Sequence, residues 1–449
     1  MHNKRQKKGN SIIQNAEHCL KVKRKSYQNS EKRRKEESMK KKIFSVALAG
    51  VLAGAMFAGC GNSASSSSAS AASESKSASS NASSASSTSS ASSEAASSTS
   101  EASASDAEGK SYSIAINTFG AGAYPLDEIM MHDERLAELI GCTTDKVDNQ
   151  FTADVVVSQL QNQLTNNPDI VIPELMAATT FSPVVEKCIE AGVVFAFDSN
   201  FPDDDVQAKC DEYENFAGGV CSNPYDMGVQ MAEIAYEDGC RSTMILAAAV
   251  GDYSHDNRIQ GYTDKFEELG GKVVFVQHCS DPSEAVTKAT DLFTGYADQV
   301  DSCYCSGGDY LVGAASVKTA NSSYSEIKLY GTDINPDTFD QIADGTITAN
   351  NGGQGVAGSL AMVLAVNLAD GHKIVDEDGK AAMFNNLQVF VITKDNVEAF
   401  RDLYSDGTEL ITDEEYKSLL YRYNPDVTFD DFNEFLENYG DNICERIGA

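Results

Sequence analysis

Tryptophan is absent from this 449-residue chain, so aromatic stacking falls to its 19 Phe and 18 Tyr. Histidine occurs only six times and never as H-E-x-x-H, which excludes that zinc-peptidase motif. G-x-S-x-G is missing, and with it the nucleophile elbow of the α/β-hydrolases. No C-x-x-C occurs, and Cys303 and Cys305 flank one residue, too close for a zinc knuckle. The acidic run of Asp376, Glu377 and Asp378 before Gly379 would need a ligand where Ile374 stands, so the calcium-loop pattern fails. No metal, no cofactor and no bond-making chemistry are expected.

Basic residues are also scarce over most of the length. Residues 1–42 hold 15 of the 35 Lys+Arg and four of the 67 Asp+Glu. The remainder therefore sets 20 cations against 63 carboxylates, a balance of −43. Such a surface repels nucleic acid and anionic headgroups, so no nucleic-acid partner is expected.

What the first hundred residues do contain is an export pattern. Three lysines, Lys40 to Lys42, precede an apolar run at 43–58 that ends in Ala58, Gly59 and Cys60. A charged start, a short apolar core and a small-residue exit make a secretory signal. The run falls short of the roughly 20 residues that span a bilayer. Cysteine directly after small residues resembles a bacterial lipobox, which implies cleavage before Cys60 and a lipid on its sulfur. Residues 39–59 are thus expected to be the signal peptide. Residues 1–38 are expected to be a non-native extension, because a signal begins at its own methionine. Residues 60–110, almost wholly Ser and Ala, have no apolar period to bury and should form a disordered tether. Its Ser/Ala-rich stretch reaches roughly 35–40 Å if it behaves as a flexible coil.

Eleven cysteines are present, and removing Cys19 and Cys60 leaves an odd nine. Several lie inside apolar runs, where free cysteine behaves as a small hydrophobe. Mostly buried thiols are expected, with a bridge such as Cys210 to Cys221 as the alternative.

From Ser111 onward, β-rich runs alternate with helical patterns. Strands are expected at 113–117, 169–174, 193–199, 216–222, 243–249, 272–278, 302–306, 327–333 and 347–350. Helices are expected between them, at 126–140, 152–166, 182–191, 225–238, 257–269, 283–297, 309–320, 336–343 and 356–370. Unalternating apolar strands, each followed by an amphipathic helix, point to parallel sheets covered on both faces. The repeated order predicts α/β architecture in two doubly wound lobes. A last strand at 387–393 precedes helical patterns at 395–404, 412–421 and 428–438. Thr412 and Thr428 are the expected N-caps of the latter two. This tail, 395–449, reads as a helical appendage packed on one lobe, with a docking surface as the alternative.

Polar groups gather where the strands end. Asn117, Phe119 and Tyr124 follow the first strand, and Asp198 and Ser199 follow the run at 193–197. His255 and Arg258 follow the strand at 243–249, and Asp333 follows 327–331. Carboxylates, an amide and one arginine suit a polyhydroxylated ligand, because each hydroxyl both donates and accepts. Phe and Tyr faces suit the CH face of a sugar ring.

In this region the chain resembles the sugar-binding branch of the periplasmic binding proteins, which feed ABC importers. The resemblance runs over roughly 112–393. It is carried by Asn167, Pro168 and Asp169; by Ala191, Gly192 and Val193 leading to Phe197 and Asp198; and by Arg258-x-x-Gly261-Tyr262. Gly313 and Ala314, then Gly331, Thr332 and Asp333, continue the pattern. The resemblance implies that Asp198, Arg258 and Asp333 contact the sugar. It departs from the family at Gly307 and Gly308, where an Asn-Asp pair is usual and Asp309 stands next. It departs again at Gly352, with Gln354 nearby, and at Ser199, where Arg is frequent. The fold so implied is periplasmic-binding-protein-like I, two Rossmann-like lobes joined by a three-strand hinge. One lobe is expected to comprise 111–222 plus 351–386, the other 223–350 plus 387–394. The expected activity is capture of a monosaccharide-like ligand by a lipid-anchored, monomeric, extracytoplasmic protein that serves an ABC permease.

Two rivals carry different signals. Import and sensing share one cleft, so a sugar or autoinducer receptor for a membrane signalling partner is the alternative. Gly353-x-Gly355-x-x-Gly358 fits a dinucleotide fingerprint, with Asp376 some 20 residues on. It comes late in the chain, and its glycines are expected to serve a hinge turn and close helix packing instead.

Overall fold

The computed structural model describes residues 109–406 and 410–449. The extension 1–38, the signal 39–59, Cys60 and the tether up to residue 108 lie outside the described residues. Among the described residues, no helix is long and apolar enough to cross a membrane.

Five strands and their helices build the first lobe. They are β1 (Ser113–Thr118), β2 (Thr143–Asp148), β3 (Ile170–Pro173), β4 (Val194–Asp198) and β5 (Phe216–Val220). Between them run α1 (Leu126–Leu139), α2 (Ala153–Leu164), α3 (Ala178–Ala191) and α4 (Asp204–Asp211). The second lobe repeats the plan from α5 (Pro224–Glu237). Its strands are β6 (Ser242–Ala247), β7 (Lys272–His278), β8 (Ser302–Cys305), β9 (Lys328–Thr332) and β10 (Ala349–Gly352). Its helices are α6 (Tyr253–Glu268), α7 (Ala285–Tyr296), α8 (Gly308–Ala320) and α9 (Phe339–Asp344). The chain then returns to the first lobe as α10 (Ala357–Ala369) and β11 (Met383–Phe384), and crosses again to β12 (Phe390–Thr393).

Each sheet has six strands. The first is ordered β11-β5-β4-β3-β1-β2 and is wholly parallel. The second is ordered β12-β10-β9-β8-β6-β7, parallel except where β12 pairs antiparallel with β10. Both are doubly wound, with order reversing between β1 and β3 and between β6 and β8. Open parallel sheets leave a crevice at that reversal, outside the strands' carboxyl ends. Helix α10 is buried almost all round, as a helix covered on every side must be.

Several elements differ from the sequence-based expectation, among them β11, which was not expected, and the final helix, which runs to Ile447 instead of 438. Strand β2 (TTDKVD) lies at a sheet edge with nearly every residue exposed, so it shows no apolar pattern. Helix α4 (DDVQAKCD) buries only Val206 and Cys210 and was equally silent. The run at 387–393 supplies strand only from Phe390. The described cysteines form no disulfide; Cys210 and Cys221 are buried and unbridged.

The last helices are α11 (Val397–Asp406), α12 (Asp413–Leu419) and α13 (Phe429–Ile447). Thr412 and Thr428 cap α12 and α13 through capping boxes with Glu415 and Asp431. The expectation that this tail packs on one lobe needs correction. Arg422 pairs with Asp370 at 2.8 Å, fully buried against the first lobe. Tyr416 donates to Ser359 of α10 at 2.8 Å. On the other side, Tyr404 meets the ring of Phe339 in α9 at 5.5 Å, and Tyr439 lies 6.3 Å from Phe390 in β12. The appendage therefore touches both lobes.

Candidate functional site

The carboxyl ends of the two sheets enclose a cavity of about 310 Å³. The wall from the second sheet is polar. Helix α6 is capped by Asp252, whose side chain accepts from the His255 amide, and nearly two turns on it projects Arg258. Arg258 Nη1 donates to Asp333 Oδ2 at 2.7 Å and to the Ser306 carbonyl at 2.9 Å. Asp333 follows β9 with φ of 71°, a strained left-handed conformation for a non-glycine residue. Asn350 steadies it by donating to its carbonyl at 3.0 Å. Its second oxygen accepts from the Gln354 amide. Arg258 and Asp333 are almost wholly buried, so this ion pair is little screened. Two polar atoms at this wall have no hydrogen-bond partner among the described residues, Arg258 Nε and Gln354 Oε1. Arg258 and Gln354 both line the cavity, and a buried orphan donor and acceptor favour a ligand that supplies their partners.

His255 Nδ1 lies 2.9 Å from the Ser306 hydroxyl, and burial holds the imidazole below its ordinary pKa. Asp309 opens α8; burial and the Asp333 charge push its carboxyl up to about 6.

The wall from the first sheet is apolar. Phe119, Tyr124, Leu126, Ile129, Phe151 and Met176 line it. The rings of Phe119 and Phe151 meet edge to face, 6.0 Å apart. Across the cleft the Ser254 hydroxyl donates to Asn200 Oδ1 at 2.8 Å.

A profile of the periplasmic binding protein domain matches residues 134–373, more than half of the chain. The chain belongs to the periplasmic binding protein family. Among solved structures, a galactofuranose binding protein aligns at a TM-score of 0.57 with 14% identity, over 66% of this chain and 98% of its own. The arabinose-transporter component of Shewanella sp. ANA-3 gives 0.57 and 15%, over 66% and 96%. A solute binding protein of Actinobacillus succinogenes 130z, solved with D-allose, gives 0.57 and 15%, over 64% and 99%. Identity this low speaks for the fold alone. No curated protein sequence matches the chain.

As a periplasmic binding protein, the chain belongs to a family that binds solutes outside the cytoplasm rather than transforming them. Eight of its expected site residues line the one cavity: Phe119, Tyr124, Ser199, His255, Arg258, Asp309, Asp333 and Gln354. Asn117 and Asp198 do not. Asn117 is fully buried, donating to Gln163 at 2.9 Å and accepting from Asn149 at 2.9 Å. Asp198 is 1% exposed, and burial raises its carboxyl pKa. Side chains alternate along a strand, so the last residue of β4 turns inward and Ser199, at φ of 60°, meets the cavity instead. Inside, Asp198 lies among Glu174 and Asp133, whose carboxyls are raised by burial and by its charge.

The dinucleotide fingerprint also finds its physical meaning here. A Cβ on Gly355 would sit 2.1 Å from the Glu128 carboxylate, and one on Gly358 would sit 2.5 Å from that of Asp133. The glycines make room for two buried carboxyl groups of α1, which fill the space beside the turn. Lining residues that the sequence did not single out include Phe151, Met176, Asp252, Ser254 and Asp281.

Proposed function

We propose that this protein captures a monosaccharide-like ligand in the inter-lobe cleft and delivers it to an ABC permease. The lobes proposed are 111–222 plus 351–386 and 223–350 plus 387–394, closing about the crossings between them. Arg258, Asp333 and Gln354 hold the sugar hydroxyls, with His255, Asp309 and Ser199 at the margins and Phe119 and Tyr124 on the apolar side of the ligand. The observation that carries this reading is the buried Arg258–Asp333–Gln354 hydrogen-bonded chain lining the cavity opposite Phe119 and Tyr124. Sugars named for the structurally similar proteins, arabinofuranose and allose among them, support the same ligand class. A thermal-shift screen of pentoses and hexoses tests it. Ligand at 100 times its dissociation constant stabilises by about 2.7 kcal/mol. Failure of every carbohydrate to shift the transition ends the proposal.

The export pattern supports a lipid anchor at Cys60, with the protein acting as a monomer just outside the membrane. Cys60→Ser should move the protein from the membrane fraction to the soluble one. Retention of the variant in the membrane fraction contradicts lipidation at Cys60.

A further inference from the structure

The apolar wall goes beyond what a simple sugar needs. Phe151 is 43% exposed, although burying a Phe side chain is worth about 1.5–3 kcal/mol. It is held out by unfavourable backbone. Gln150 and Phe151 are consecutive non-glycine residues at φ of 52° and 56°. Each such conformation costs on the order of 1–3 kcal/mol unless the surroundings impose it. They do so here. The Phe151 amide donates to the Phe119 carbonyl at 2.9 Å, and the Gln150 amide donates to Asp148 at 2.8 Å. Gly120 leaves space for the ring, since a Cβ there would meet it at 2.6 Å. The fold thus fixes an unburied aromatic face beside Phe119.

The same lobe withdraws its amide and carboxyl groups from this patch, leaving the Tyr124, Ser199 and Ser222 hydroxyls elsewhere on the cavity lining. Asn117, Asp198 and Glu174 are enclosed behind the wall, and the Phe119 amide is taken by Glu174 at 2.7 Å. A hydroxyl set against the Phe119 and Phe151 rings would be left unpaired, at about 1–3 kcal/mol. A nucleobase would face the same penalty along its polar edges. Arg258 and Asp333 stand on the opposite wall, and Gln354 is bonded to Asp333 where the chain crosses between the lobes. The cavity, at about 310 Å³, lies at the low end of the roughly 300–1,000 Å³ typical of sites for drug-sized ligands.

We infer that the ligand is a glycoside whose sugar faces Arg258, Asp333 and Gln354 and whose aromatic aglycone lies against Phe119 and Phe151. This deepens the sugar-binding reading and rests on it. Phe151 is then a specificity-determining residue, selecting for the substituent and indifferent to the sugar.

Calorimetric titration of the full chain tests this with arabinose, galactose and allose, their phenyl glycosides, and the nucleosides adenosine and uridine. At least one phenyl glycoside should bind roughly tenfold or more tightly than its free sugar, the gain expected of an aromatic contact with its buried area. Phe151→Ser should abolish that gap and leave the free-sugar constant unchanged within about twofold, which is ordinary scatter on a logarithmic scale. Phe119→Leu, which keeps apolar volume, should narrow the gap and serves if the first variant does not fold. Equal or tighter binding of the free sugars overturns the inference and leaves the proposed function standing. Nucleosides outbinding phenyl glycosides, or a gap that survives Phe151→Ser, also overturns it. Binding of no carbohydrate in either form removes the sugar-binding reading as well.

Discussion

The two lobes share a strand order and differ in where they point their carboxylates. The second sheet aims Asp309 and Asp333 into the cleft and ties the latter to Arg258. The first lobe has four acidic groups near the same level, Glu128, Asp133, Glu174 and Asp198, and all are buried behind its wall. Topology fixes where a site can lie, and the direction of one side chain at a strand end decides which lobe supplies its polarity.

The largest expected effect breaks the polar wall. Arg258→Ala leaves Asp333 buried beside a lost partner, and breaking such a pair costs about 3–5 kcal/mol. Urea denaturation should show that loss, and calorimetry a fall in sugar affinity beyond ~100-fold. An unchanged dissociation constant would remove Arg258 from the site.

A matched pair of isosteres sharpens the contrast. Asp333→Asn should weaken sugar binding by at least ~10-fold, the scale of one charged hydrogen bond. Asp198→Asn should leave affinity unchanged, because its carboxyl is enclosed. Equal losses in both would mean that the first lobe also reads the sugar.

Strand β2 explains much of what the sequence concealed. Its residues are polar and exposed, so neither alternation nor an apolar run marked it, and Phe151 just beyond its carboxyl end went unnoticed. The apolar central strands, by contrast, were legible almost residue by residue, and the N-caps of the last two tail helices were legible too, although the final helix runs to Ile447, past the expected end at 438. Arg258 and Asp333 were readable because each stands in a recurring local pattern after a strand. Asn117 and Asp198 stand in similar places and were assigned to the cleft, since position along a strand does not state which way its last side chain turns. Tertiary packing alone revealed why the glycines at 355 and 358 are needed.

The hidden acidity of the first lobe has its own signature. Burial pushes the Glu128 carboxyl from 4.5 up to about 8. A folded-state value above the unfolded one means that the fold favours the protonated form. That contribution is fully present below pH 4.5 and is lost as pH rises through about 8. Glu128→Gln, which imitates the protonated carboxyl, should leave the melting temperature unchanged at pH 4 and raise it at pH 8.5. A gain of about 1 kcal/mol corresponds to roughly 2–4 °C in a protein of this size. A pH-independent difference would show that Glu128 does not titrate within the fold. Nearby His132 works in the opposite sense. Burial holds its imidazole down to about 3, so its neutral form stabilises above pH 6.5 and that contribution is lost as pH falls through about 3.

The smallest expected effect lies where the walls meet. Ser254→Ala removes the hydrogen bond to Asn200, worth about 0.5–1.5 kcal/mol. Ligand affinity should fall by no more than about tenfold, with the free protein more open by small-angle scattering. An unchanged scattering profile would show that this contact does not hold the walls together.

The tail gives the pivot an attachment beyond its connecting strands. In a clamp of two bodies the stroke is set by the connecting strands alone. Here Tyr404 and the Arg401–Asp340 pair, 3.1 Å apart, fasten α11 to one side while Arg422 anchors its neighbours to the other. Any swing must shear that strap, so fewer orientations remain to be surrendered when a guest arrives.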